Sequence, residues 1–117
     1  MIIYKIQNLT KKYQESYSES EYVFKDITID FFSGINIING TSGSGKTTFL
    51  KILAGLIVPS KGTLAYNFRK LITKKNYMQY RQETTLLSQE PYLFRGTVLK
   101  NVMYGLQIKS LQKKNQK

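Results

Sequence analysis

Cysteine and histidine are both absent from the 117 residues. Without thiols there is no disulfide, no thiolate metal site and no cysteine nucleophile, and the commonest general base is missing as well. Any chemistry must come from hydroxyls, lysines, carboxylates or a bound metal. No apolar run approaches the roughly 20 residues that cross a bilayer, and the opening MIIYKIQNL lacks the layout of a secretory signal. A reduced, cytoplasmic protein is therefore expected. Carboxylates are scarce and uneven: the seven lie at Glu15, Glu19, Glu21, Asp26, Asp30, Glu83 and Glu90, leaving none between 31 and 82 or after 90. Eighteen Lys and Arg set against them give a net charge of +11, which favours anionic partners such as nucleotides, nucleic acid or acidic lipid.

A chain of this length suits one modest domain. IIYKIQNL and YVFKDITIDFF are rich in β-branched and aromatic residues and predict two half-buried antiparallel strands. The polar TKKYQESYSESE between them reads as a loop. After the turn at Gly34, INIIN fits a strand buried on both faces of a parallel sheet. From Thr47 to Ile57, six apolar residues recur at helical spacing and Pro59 ends the run. SKGTLAYN predicts a turn and a short strand, RKLITKKNYMQYR is ambiguous, TTLLSQ reads as a further buried strand, and VLKNVMYGL as a helix with Val98, Val102 and Leu106 on one side. The tail IKSLQKKNQK is polar and basic, and fraying is expected.

The segment NGTSGSGKTTFLKILAGL carries the chemistry. Gly40, Gly45, Lys46 and Thr47 fit G-x-x-x-x-G-K-[ST], between a predicted strand and a predicted helix. Glycines let backbone N–H groups curl around an anion where a Cβ would obstruct them, and the helix start adds unpaired N–H groups and the positive end of its dipole. Lys46 would reach the β- and γ-phosphates, and the Thr47 hydroxyl would bind Mg²⁺. The bland alternative is a Gly/Ser hinge before an ordinary helix. Downstream, Gln89 follows an apolar run, and its amide oxygen can ligate Mg²⁺ or hold a water.

Four stretches in order, NLTKKY, GTSGSGKTTFLKILAGLIVPSKG, LLSQEPYLF and GTVLKNVMYGL, resemble the nucleotide-binding domain of ABC transporters, over residues 1–106. The resemblance implies an α/β fold: a P-loop NTPase core of the ABC type with an antiparallel β subdomain, truncated before the signature and Walker B elements, and a basic tail at 107–117. It implies a Walker A loop of Gly40, Thr41, Ser42, Gly43, Ser44, Gly45, Lys46 and Thr47, with Thr48 touching the α-phosphate. Tyr13 would stack on adenine, with Tyr17 and Tyr22 as competitors for that role. Gln89 becomes the Q-loop glutamine that shares Mg²⁺ with Thr47, and 91–96 would lie near a membrane subunit. ATP and Mg²⁺ are the implied cofactors. A transmembrane permease subunit and a second nucleotide-binding subunit are the implied partners, at the inner face of the cell membrane, without nucleic acid.

The family's LSGGQ signature, Asp-Glu strand, aspartate loop and switch histidine have no counterpart in these residues. Asp30 and Glu90 are the nearest substitutes for a catalytic carboxylate. Binding of nucleotide without turnover is the expectation, together with instability of the chain alone, because INIIN would be left as an apolar strand with open hydrogen-bonding edges. Three other readings stay open: a nucleic-acid-binding protein using the five basic residues from Arg69 to Arg81 interleaved with Tyr77 and Tyr80, a nucleotide-dependent kinase, and an inactive gene fragment.

Overall fold

Alternating apolar residues make the sheet, and an irregularity at Asn8 sets which of them face the core. The computed structural model describes residues 1–13, 22–90 and 92–114, with side chains up to 108; Tyr17 and Pro91 lie outside the described residues. Strands β1 (Ile2–Lys12) and β2 (Tyr22–Phe32) pair antiparallel, β1 also pairs with β3 (Lys61–Tyr66), and β3 with β4 (Arg69–Lys70), in the order β2-β1-β3-β4. Helices α1 (Lys46–Leu53), α2 (Lys74–Glu83) and α3 (Val98–Lys114) complete the elements. The residues fall into two compact units, Met1–Leu86 and Leu87–Lys117.

In the first unit strict alternation breaks at Asn8, which takes a φ of 49° where the β1–β2 register shifts. The extra residue turns both Ile6 and Leu9 inward, three positions apart and fully buried. Thr28 caps the irregularity, its hydroxyl accepting from the Asn8 N–H at 2.9 Å. Across the sheet β3 comes so close that a Cβ on Gly62, where φ is +88°, would stand 2.4 Å from the Asn8 carbonyl oxygen. Only glycine fits there.

α1 lays Phe49 and Ile52 on this sheet. It ends at Leu53, earlier than the expected stop before Pro59, because the Gly55 N–H returns to the Ile52 carbonyl and the Leu56 N–H to the Lys51 carbonyl, both at 2.9 Å, the paired bonds of a left-handed helix terminus. α2 begins with a reciprocal cap between Thr73 and Asn76. It buries Tyr77 and Tyr80 in the core with Ile6, Leu9, Ile52, Leu64 and Leu71. Tyr80, 1% exposed, donates its hydroxyl to the Leu53 carbonyl, and the Tyr4 hydroxyl lies 2.9 Å away. One phenol thereby joins α2 to the end of α1 and to β1.

Two expected strands do not form. INIIN, at 35–39, is irregular with Ile35 96% and Ile37 86% exposed, because no described strand lies alongside to complete a ladder. TTLLSQ is likewise irregular and Leu87 is 91% exposed, for the same reason. In the second unit α3 runs through 106/107 as far as Lys114, so the expected frayed tail is helical over most of its length. Thr97 accepts from the Lys100 N–H at 3.2 Å, and Asn101 holds the backbone of Phe94 in both directions, at 2.7 and 3.0 Å.

Burial pushes the Tyr80 phenol far above its ordinary range, with the Tyr4 hydroxyl adding to the shift, and burial also raises Tyr4 and Tyr77. The folded value of Tyr80 lies above the unfolded one of about 10, so its stabilising contribution is complete below pH 10 and declines as pH climbs beyond it. Tyr80→Phe should cost about 1–3 kcal/mol at pH 7, because the Leu53 carbonyl loses its donor. Urea titrations should show the gap to wild type narrowing above pH 10, at up to about 1.4 kcal/mol per pH unit. Gly62→Ala should destabilise by about 2 kcal/mol or more. Gly105→Ala has open space around it on α3 and should raise helicity, with a gain of about 0.5–1 kcal/mol; circular dichroism distinguishes the two signs.

Candidate phosphate-binding site

The stretch 40–47 closes into a loop, and each closure has a visible cause. Gly43 and Gly45 have φ of +78° and +90°, left-handed values that side chains disfavour. The Asn39 amide oxygen accepts from the Gly40 N–H at 2.9 Å, and the Ser44 N–H returns to the Thr41 carbonyl at 3.2 Å. Behind the loop stands β2: a Cβ on Gly45 would lie 2.8 Å from Val23 Cγ1 and 3.1 Å from the Val23 carbonyl oxygen. Lys46 folds inward, its ammonium 2.6 Å from each of the Gly40 and Thr41 carbonyls and 3.3 Å from Ser44 Oγ. The loop therefore already surrounds a charged group with oxygen.

The helix start is the complementary half. α1 has no side-chain hydrogen bond at its N-cap, Gly45, and no acidic residue in its first turn. α2 differs, since Thr73 and Asn76 satisfy its first N–H groups. Of these two helices in the first unit, only α1 presents a bare positive end, beside a lysine. Thr47 is exposed on that first turn. Thr48, one residue on, shares a hydrogen bond with Tyr13, hydroxyl to hydroxyl at 3.1 Å.

Tyr13 lies just beyond β1, 53% exposed, with the Lys11 ammonium 5.7 Å from its ring centre. The competing Tyr22 carries two ammonium groups over its ring, Lys12 at 5.6 Å and Lys25 at 5.4 Å. The geometry thus gathers Tyr13, Thr48, Lys46, Thr47 and the glycines in one unit. Gln89 lies in the other unit, exposed in the irregular stretch after 88, so the expectation that it terminates a buried strand is not met. Glu90, also there, is exposed, and its carbonyl accepts from the Ser88 hydroxyl at 2.6 Å. Among the described residues no three acidic, histidine or cysteine side chains gather as a metal site.

Sequence reasoning missed Val23 and Phe24, whose packing seats Gly45, and the amide of Asn39. The apolar alternation of β2 contained the first signal, and the Asx preference for neighbouring N–H groups the second. An apolar cleft of about 410 Å³ opens between β2 and 37–40, walled by Phe24, Ile27, Phe31, Ile38 and Phe49. Its walls suit aliphatic groups, whereas the bare N–H groups of α1 suit an anion. Tyr77 and Tyr80, which a nucleic-acid interface would need as stacking platforms, belong to the core. No helix among the described residues is long and apolar enough to cross a membrane.

Comparison with known proteins agrees with this geometry. Residues 24–117 match the family model described as ABC transporter. The chain is 42% identical over 76 residues to the probable iron export ATP-binding protein FetA of Escherichia coli (strain K12), a match that takes in 65% of this chain and 33% of that protein. It is 37% identical over 84 residues to the ATP-dependent permease MDL1 of Candida albicans, over 71% of this chain and 12% of that one. A bacterial ABC transporter cassette, solved as a dimer, superposes with a TM-score of 0.67 at 26% identity, over 92% of this chain and 48% of the cassette. The chain spans less than half the length of each of these relatives. With a glycine-rich loop seated against an antiparallel sheet at the start of α1, and with 24–117 fitting the family model, the chain belongs to the ABC transporter family.

Proposed function

We propose that these residues are the ATP-binding part of an ABC-type membrane transporter. The observation that carries the proposal is the uncapped start of α1, without a carboxylate in its first turn, facing a loop that already encloses the Lys46 ammonium. A polyphosphate satisfies the bare N–H groups and gives that ammonium a full negative charge in place of two neutral carbonyls. The names of the two curated relatives, an ATP-binding protein and an ATP-dependent permease, support ATP as the nucleotide.

In this reading Gly40, Thr41, Ser42, Gly43, Ser44, Gly45 and Lys46 hold the β- and γ-phosphates, and Thr48 the α-phosphate. Tyr13 lies against the base. Mg²⁺ is a hard cation that takes oxygen ligands and keeps several waters. The Thr47 hydroxyl fits it, and the remaining ligands come from phosphate and water. Bound Mg²⁺ would neutralise phosphate charge. The partners are a transmembrane permease subunit and a second nucleotide-binding subunit, at the cytoplasmic face of the cell membrane. The nucleic-acid reading has less support, because Tyr77 and Tyr80, the residues it would stack on, are buried.

Calorimetry should detect Mg-ATP binding to the chain, and Lys46→Ala should weaken it at least about tenfold through loss of a charge-assisted contact; equal affinities would remove the proposal. Saturating Mg-ATP at about 100 times its Kd should also stabilise the chain by about 2.7 kcal/mol. Phosphate release should stay at background, since the charge-positioning groups of phosphoryl transfer have no carboxylate beyond Glu90 and no histidine to draw on. Turnover abolished by Glu90→Gln would overturn that expectation.

A further inference from the structure

Seven asparagines occur in the chain, and only Asn39 is followed by glycine; the others precede leucine, isoleucine, phenylalanine, tyrosine, valine or glutamine. The backbone nitrogen after an asparagine can close a five-membered ring on the side-chain amide, and a side chain on that next residue crowds the approach. Gly40 brings none. Asn39 and Gly40 are both exposed. The Asn39 amide oxygen lies 2.9 Å from the Gly40 nitrogen, which sets Cγ, one bond from that oxygen, beside the same nitrogen. Among the described residues 35–39 make no backbone–backbone hydrogen bond, and Ile37 is 86% exposed, so the rotation that ring closure needs breaks no ladder. Ring closure also develops negative charge, first on the nitrogen and then on the amide oxygen, and nearby positive charge favours it. The Lys46 ammonium is 2.6 Å from the Gly40 carbonyl, α1 begins at Lys46 with the positive end of its dipole, and the chain from 31 to 82 carries no carboxylate.

We infer that Asn39–Gly40 is a self-modifying site, at which the asparagine converts to aspartate and isoaspartate and the new carboxylate weakens anion binding at the loop. The peptide nitrogen is a poor nucleophile until deprotonated, because its lone pair is shared with the carbonyl. The Gly40 nitrogen gives its proton to water and bonds to Asn39 Cγ; the Cγ–Nδ2 bond breaks, and Nδ2 takes a proton and leaves as ammonia. Water then opens the cyclic imide at either carbonyl. Breaking the bond from Cγ to nitrogen gives aspartate, and breaking the one from the Asn39 backbone carbonyl gives isoaspartate, with the chain now running through the side chain. One water enters and one ammonia leaves, without an oxidant or a second enzyme. Either product places a carboxylate beside Gly40, where it competes for the Lys46 ammonium and repels an incoming phosphate. This effect on binding rests on the nucleotide reading of the loop.

In the test the full 117-residue chain is kept in warm, mildly alkaline buffer. Peptide mass mapping follows the exchange of NH2 for OH at each asparagine, with chromatographic separation of the aspartyl and isoaspartyl products. Asn39 should convert first of the seven, and no more slowly in the folded chain than in urea. Affinity for magnesium tripolyphosphate, measured by calorimetry on the same samples, should fall in step with conversion. Freshly made Asn39→Asp should bind it at least about tenfold more weakly than wild type. Asn39→Gln, whose longer side chain would need a six-membered ring, should keep its starting affinity over the same period. Conversion of Asn39 that is slower than in urea, or no faster than at the other six asparagines, overturns the site. Conversion with Asn39→Asp binding as tightly as wild type overturns the effect on the loop. If fresh wild type binds neither tripolyphosphate nor Mg-ATP, the nucleotide reading fails and the effect on binding with it, while the mass map still decides the modification.

Discussion

Gly45 has room for a hydrogen against β2 and for nothing larger. That close approach governs the glycine-rich loop, since it decides where α1 begins. A side chain there would have to displace Val23, and with it the strand. β2 is held in turn by β1, whose irregularity at Asn8 directs both Ile6 and Leu9 into the core. The far end of α1 is fixed by the Tyr80 hydroxyl on the Leu53 carbonyl. The helix is therefore clamped at both ends by groups outside the 40–47 loop.

Electrostatics and packing act on different faces of this loop. The apolar side, against β2, supplies rigidity. The polar side contains Lys46 and a helix terminus lacking any acidic residue in its first turn. A carboxylate in that turn would have stabilised an isolated helix by interaction with its dipole, and it would also have blocked an anion. α2 shows the ordinary solution, a reciprocal cap with no ligand required. The two helices both lack an acidic residue in the first turn and differ in this cap.

Much of this was legible in the chain itself. The G-x-x-x-x-G-K-T spacing located the loop because its chemistry is local: a few backbone angles, one ammonium and one hydroxyl. β1 and β2 were legible from their composition, and so was the start of α3. INIIN and TTLLSQ were misread because an apolar run records what a segment would bury, not whether a partner strand is present. The early end of α1 was written in Gly55, but Leu56 and Ile57 continued the helical spacing and concealed it. Asn8 gave no sequence signal of a bulge, since any polar residue suits an exposed strand position. The pairing of Tyr13 with Thr48 is tertiary, and spacing along the chain cannot show it.

Two of the three isoleucines of INIIN, Ile35 and Ile37, show why the loop and the segment before it need not share one fate. Ile35 and Ile37 are almost fully exposed, each forgoing about 2 kcal/mol of burial, yet Asn39 two residues later already bonds the Gly40 N–H. The loop takes its position from β2 behind Gly45 and from the core contacts of Phe49 and Ile52. None of these passes through Ile35 or Ile37. An apolar segment can thus lack ladder partners while the loop that follows it keeps its shape, because the forces that shape it are the local backbone angles and the packing of α1. Loop geometry and sheet completion are separate problems in this chain.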